Sequence, residues 1–214
     1  MESHALDDTD STSTSTALGR EWVYGLLGTL FDDVPDALLL NRLRDGEALR
    51  LADVARGLGV SATSTERIAS VAGADMTTLN IEYTSLFEAH KRVYPFASCW
   101  LAEKPRLMRK PWAMANAFYA RFGVGLPEDR AMRADHIGTE LLFVSLLASR
   151  QAAAGDSDEA ASLERETERF LSLHLQTWVP DFCRKVVEDE RSDYYGALCE
   201  LTAALLSAES ALVE

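Results

Sequence analysis

Cysteine is scarce in this chain. Only Cys99, Cys183 and Cys199 occur in 214 residues, and no two form a Cys-x-x-Cys pair. They set up neither a disulfide framework nor a zinc knuckle, and read as buried or idle thiols. Lysine is nearly as rare, with Lys91, Lys104, Lys110 and Lys185 the only four. Lys and Arg total 21 against 34 Asp and Glu, a formal charge of −13. Nucleic acid is a poor partner for such a chain, because its phosphates demand Lys and Arg. A cationic partner suits it better. Long apolar runs are missing too: none approaches the ~18–20 residues of a membrane span, so stable membrane insertion is not expected. The first residues show no basic stretch, no apolar stretch and no Arg-Arg pair. No export signal is read there, and a cytoplasmic location is expected.

What remains is ordinary globular material, 47% hydrophobic and 26% charged. At roughly 150 residues per domain it makes one domain. Residues 1–16 are Asp, Ser and Thr with almost nothing to bury, and read as a disordered tail. Residues 17–214 repeat the 3–4 spacing of helices. Trp22, Leu26 and Leu30 line a first helix that stops near Asp32-Asp33-Val34-Pro35. Shorter helices are expected at 36–45 and 47–57. Met76, Leu79, Tyr83, Leu86 and Phe87 mark one over 75–87, and 88–98 reads as a loop. Met108 to Phe122 forms the next helix, ended by Gly123, Gly125 and Pro127. The segment 135–150 is apolar nearly all round, as a central buried helix would be. Further helices run from Ala160 to His174, over 178–190 with Thr177 as N-cap, and from Leu198 to Leu212. No alternating run of β-branched residues appears, so the fold class is an all-α single-domain bundle of roughly eight to ten helices.

The common chemistries fail on spacing. A dinuclear iron or manganese bundle needs Glu three residues before His. Those positions hold Met1, Phe87, Arg133 and Leu171. There is no HExxH and no P-loop. Residues 57–62 fit GxGxxA only formally, since they follow a helix and not a strand. No catalytic residue, metal or cofactor is expected. Residues 51–68 have the Ala-and-Gly spacing of a helix-turn-helix, which leaves a transcription regulator as the alternative reading. Its recognition helix would carry one basic residue, Arg67, beside Glu66.

The strongest local signal is Asp135-His136-Ile137-Gly138-Thr139-Glu140. His136 and Glu140 are i, i+4 and share a face, where they can hydrogen-bond. Asp135 at the helix start can cap free N–H groups. Beyond capping, the segment reads as a polar binding site at the rim of a buried helix. His174 lies on an apolar stripe and reads as a core histidine.

Taken in order, four motifs resemble one family. Tyr83-Thr84-Ser85-Leu86-Phe87 is similar to its Tyr-x-x-Leu-Phe segment, and Pro95 to Trp100 to its Pro-x-x-Ser-x-aromatic loop. Asp135-His136-Ile137 with Glu140, Leu141 and Phe143 resembles its Asp-His helix. Phe170, His174-Leu175 and Trp178 resemble its later Phe-x-x-x-His-Leu-x-x-Trp. The family is that of the TorD/DmsD-type redox-enzyme maturation chaperones, with NarJ in the wider superfamily. Two features depart from it: Met132-Arg133-Ala134 stands where Glu-Pro-x is common, and Trp100 where Tyr is common.

The resemblance implies a cytoplasmic, non-enzymatic, all-helical chaperone, monomer or homodimer. It would bind the catalytic subunit of a molybdopterin oxidoreductase of the dimethyl sulfoxide or trimethylamine N-oxide reductase kind, and its twin-arginine signal peptide. The leader site carried over is Asp135, His136, Pro95, Ser98 and Trp100. A leader of two guanidinium groups and an apolar stretch needs carboxylates beside an apolar wall. Asp135 and Glu140 are the expected acceptors, and Tyr83, Phe87, Trp100 and Phe143 the expected wall. The reading predicts a far-ultraviolet circular dichroism spectrum dominated by helix; a substantial sheet contribution would refute it.

Overall fold

The computed structural model describes residues 3–71, 73–89, 93–102 and 106–211. Met1 and Glu2 of the expected tail, residues 90–92 of the expected loop and 212–214 lie outside this range. Helix α1 (Ser3–Asp32) buries the stripe that its spacing announces, with Val23, Tyr24, Leu27 and Leu30 fully enclosed. It ends at Asp32, and Asp36 caps α2 (Ala37–Arg42) by accepting from the Leu39 N–H. Helices α3 (Ala48–Gly57) and α4 (Ala62–Val71) form a hairpin, and Asp75 caps α5 (Met76–Tyr83). A single turn, α6 (Ala97–Trp100), precedes α7 (Lys110–Arg121). Then come α8 (Ile137–Ala152), α9 (Ser157–Phe170), α10 (Gln176–Val187) and α11 (Tyr194–Ala211). Among the described residues no strand forms; the sole β feature is one antiparallel bridge, Phe96 to His136. The all-α bundle is therefore what the periodicity predicts.

Helix α8 is the centre, as its all-round apolarity requires: Ile137, Leu141, Val144 and Leu147 are fully buried. Its main partner is α1, and the two approach closely because glycine stands on both sides. A Cβ at Gly138 would lie 2.8 Å from the Gly28 carbonyl oxygen and 3.0 Å from the Asp32 backbone. A Cβ at Gly28 would lie 2.9 Å from the Gly138 carbonyl oxygen. Farther along, Ser145 Oγ donates to the Glu21 carbonyl at 2.7 Å, and Ser149 Oγ to the Glu21 carboxylate at 2.8 Å.

Two buried acids stitch distant segments together. The Glu82 carboxylate accepts the backbone N–H groups of Asp193, Tyr194 and Tyr195 at 2.8, 3.1 and 2.8 Å. It thus satisfies the free donors that begin α11. Glu209 near the other end of α11 accepts from Arg20 at 2.9 and 2.7 Å. Arg20 also meets Glu164 at 3.2 Å, so Glu164 is not the purely solvated charge its helix face suggests.

Two expectations need correction. Residues 3–16 are helical, where composition points to a disordered tail. Ser and Thr cost only fractions of a kcal/mol per residue in a helix, and this segment extends one already anchored by packing. Ala17 is fully buried, whereas Ser13 to Thr16 just before it are not. The second correction is at Thr177, which starts no helix. A π-helical turn over Leu171–Leu175 runs directly into α10, and Thr177 Oγ1 donates back to the His174 carbonyl. Pro180 sits inside α10, in its second turn after the wide turn.

Gly138→Ala is expected to destabilise by about 1–3 kcal/mol, the usual cost of overpacking. Thermal denaturation should show the midpoint falling by several degrees. Gly125→Ala, where an added methyl meets nothing within 4 Å, should leave it unchanged.

Candidate functional site: a buried clasp beneath an acidic and aromatic rim

The loop 93–96 and helix α6 lie against the start of α8, joined backbone to backbone. Ala97 N–H donates to the Asp135 carbonyl at 2.9 Å, and Ile137 N–H to the Pro95 carbonyl at 3.0 Å. Asp135 Oδ2 accepts from the Ser98 N–H at 2.8 Å, and Ser98 Oγ accepts from the Arg109 N–H at 3.1 Å. The Asp135 carboxylate therefore caps α6, not its own helix as expected. The cap of α8 is His136, whose Nδ1 accepts from the Gly138 N–H at 3.1 Å. Phe96 packs edge-on against the imidazole, with ring centroids 4.9 Å apart. Four of the sequence-derived site residues, Pro95, Ser98, Asp135 and His136, thus meet in one clasp.

Glu140 belongs to a different network. Its Oε2 accepts from the Trp178 indole N–H at 3.1 Å, and its Oε1 lies 3.5 Å from His174 Nδ1. The expected His136–Glu140 hydrogen bond is not formed, because capping turns the imidazole toward Gly138. His174 is a core histidine, stacked on Phe170 at 4.6 Å. Phe143 is buried between Tyr119 and Phe170 and borders a separate cavity with Val124, Leu126, Leu142 and Leu146.

Burial sets the protonation of these groups. Asp135, His136 and Glu140 are 0–1% exposed, so neither acid can meet a solvent-borne arginine as the structure stands. Burial raises the Asp135 carboxyl, opposed by its hydrogen bonds to Ser98. It raises the Glu140 carboxyl too, opposed by His174 and Trp178. Burial, then the nearby Arg133 and Arg130 guanidinium groups, hold His136 well below its ordinary range. Arg133 Nη2 lies 3.2 Å from His136 Nε2 and 3.1 Å from Asp32 Oδ1, and Arg130 also pairs with Asp32.

Above the clasp, Tyr83, Phe87, Trp100, Phe182 and Tyr195 form one aromatic cluster. Phe87 lies 5.2 Å from Tyr83, 5.1 Å from Tyr195 and 6.2 Å from Phe182, which Trp100 meets at 6.1 Å. Phe87 is buried, whereas Tyr83 and Trp100 are half-buried, with the Trp100 indole N–H donating to the Tyr94 carbonyl at 2.7 Å. Burial raises the Tyr83 phenol, and Asp33, Glu88 and Asp32 add to this against Arg133. Asp33 and Glu88 are the exposed carboxylates of this rim. Sequence reading missed them, and also Arg130, Arg133 and Glu82; a lone charge beside a turn looks like any solvated charge.

The segment 51–68 is a helical hairpin, but α4 packs on α11 and Arg67 donates to Glu200 at 2.6 Å. The one cation of the would-be recognition helix is engaged within the fold. The side chains of Ser64 and Ile68 lie outside the described residues.

His136 makes stability depend on pH. Its folded value lies below the unfolded ~6.5, so on acidification below that value the unfolded chain binds the proton first. Stability is lost as pH falls through that window, by up to about 1.4 kcal/mol per pH unit. Asp135 and Glu140, raised on folding, act in the opposite sense over the carboxylate range. The difference between wild type and His136→Asn, which keeps a capping acceptor, isolates the imidazole. Melting curves at a series of pH values should show wild type losing stability relative to the variant below pH ~6.5.

The profile described as "Nitrate reductase delta subunit" matches residues 51–184, more than half of the chain. The chaperone protein TorD of Shewanella loihica is 26% identical over 210 residues, covering 92% of this chain and 93% of that protein. The selenate reductase assembly chaperone protein of Thauera selenatis is 36% identical over 90 residues, 41% of this chain and 47% of that protein. The chlorate reductase assembly chaperone protein of Ideonella dechloratans is 35% identical over 74 residues, 34% and 38% of the two chains. The matched stretch 51–184 contains the clasp and most of the aromatic cluster above it. The chain belongs to the nitrate reductase delta subunit family, and along most of its length it is similar to a TorD chaperone.

Proposed function

We propose that this chain is a cytoplasmic chaperone for a molybdopterin oxidoreductase, binding the catalytic subunit and its twin-arginine leader before export. The reading includes no turnover: the titratable groups at the clasp are spent on caps and core hydrogen bonds. The observation that carries it is the rim, where the exposed carboxylates Asp33 and Glu88 both lie near enough to the half-buried Tyr83 to act on its phenol. Asp33 and Glu88 offer acceptors to the guanidinium pair, and Tyr83 and Trp100 offer wall to the apolar stretch. Pro95, Ser98, Asp135 and His136 act beneath them as positioning residues, fixing α6 and with it Trp100. Phe87 supports the rings from the core, and Glu140 supports α8 through Trp178. A chain charge of −13 steers a basic peptide toward the protein, less so in salt.

Titration of a peptide with paired arginines and an apolar tail tests the assignment. Asp33→Asn with Glu88→Gln should weaken binding by about 1 kcal/mol per carboxylate, the upper range for exposed ion pairs. Asp135→Ala should lower the melting temperature as well as affinity, because the buried Ser98 N–H loses its acceptor at a cost of about 1–3 kcal/mol. Glu190→Gln, an exposed charge outside the rim, is the control. Undiminished binding by the double variant would overturn the site, and no binding by wild type would overturn the function.

A further inference from the structure

The chain is strongly acidic, yet one exposed segment carries only positive charge. Residues 106–110, Arg-Leu-Met-Arg-Lys, are exposed throughout. Arg106, Arg109 and Lys110 stand in five residues, and no described carboxylate pairs with any of them. The same segment shows apolar side chains to solvent: Leu107 is 37% and Met108 45% exposed. Leu101 before it in the chain and Met114, one helical turn beyond Lys110, are exposed as well.

The backbone holds this loop in an uncommon shape. Met108 has φ 55°, the left-handed region that non-glycine residues rarely enter. The next residue is tied down, its N–H donating to Ser98 Oγ, the side chain of the residue capped by Asp135. The loop is thus fixed to the clasp while its side chains stay in water.

We infer that the 106–110 loop is a docking surface for an acidic, apolar-bearing polypeptide segment of a partner protein. Its charge is complementary to such a segment and repels the paired arginines of a leader, so it is separate from the Asp33 and Glu88 rim. On the functional reading above, the partner is the body of the reductase catalytic subunit; the surface itself rests on charge and exposure alone. A compact segment fits better than a flat anionic membrane. Trp112, in the first turn of α7, donates its indole N–H to the Ala131 carbonyl, which draws the 128–133 turn in beside the loop. Glu128 and Asp129 of that turn are exposed and would oppose an extended anionic plane.

Fluorescence anisotropy with a short labelled peptide of glutamate and leucine tests the surface on the full chain. Saturable binding is expected, weakened about tenfold or more by Arg106→Gln/Arg109→Gln/Lys110→Gln together and by added salt. Leu107→Ser with Met108→Asn should weaken it as well, Asn being at ease with positive φ. Circular dichroism melts establish that both variants fold. Equal binding by the triple variant, or no saturable binding by wild type, overturns the proposal. So does sedimentation of wild type, and not the triple variant, with phosphatidylglycerol vesicles while the peptide fails to bind. The paired-arginine peptide, titrated in parallel, should bind the triple variant as it binds wild type. If that peptide binds neither protein while the acidic peptide discriminates them, the leader reading falls and this surface stands.

Discussion

Everything at the site hangs on one close approach, between Gly28 of α1 and Gly138 of α8. With no Cβ on either side, the two backbones come near enough for the end of α1 to sit over the start of α8. That contact sets Asp32 beside Arg133, and Arg133 beside the His136 ring. It also fixes where α8 begins, and so where Asp135 meets Ser98. The clasp is therefore a consequence of helix packing, not an independent loop structure. A shift of one residue in the α1–α8 register would separate the arginines from Asp32 and leave the imidazole without its neighbours.

The buried polar groups show a common design. Asp135, Glu82 and Glu209 each take hydrogen bonds from segments far away in sequence. In an apolar interior an unpaired carboxylate is expensive, so such groups demand a specific partner in a specific place. They define which helix ends meet, where apolar contacts alone would tolerate sliding. The aromatic cluster then fills the space those anchors leave.

Much of the fold was legible in the sequence. The stripes on α1, α5, α8 and α11 give helix positions directly, since a 3–4 repeat states which face is buried. The Asp-His segment was recognisable as structurally special for the same reason: two polar residues open an otherwise apolar helix. What each polar residue does was not legible. Helix capping is a choice between neighbours, and His136 took the cap that Asp135 was expected to hold. Glu140 looked available by its i, i+4 spacing to His136, but its partners His174 and Trp178 come from the wide turn and the helix α10 that follows it, far along the chain. The exposed carboxylates Asp33 and Glu88 carry no pattern at all. Only the fold brings them to one rim.

The long-range anchors also bear on how the molecule comes into being. The donors that Glu82 needs are at 193–195, and Arg20 waits for Glu209. During synthesis, helices α1 to α10 emerge before α11 can supply either partner. The earlier helices can collapse on one another, and Arg20 can meet Glu164, yet Glu82 lacks its donors and Arg20 its second carboxylate until α11 has been made. Closure of the bundle thus waits for α11, which clamps both the first helix and the fifth.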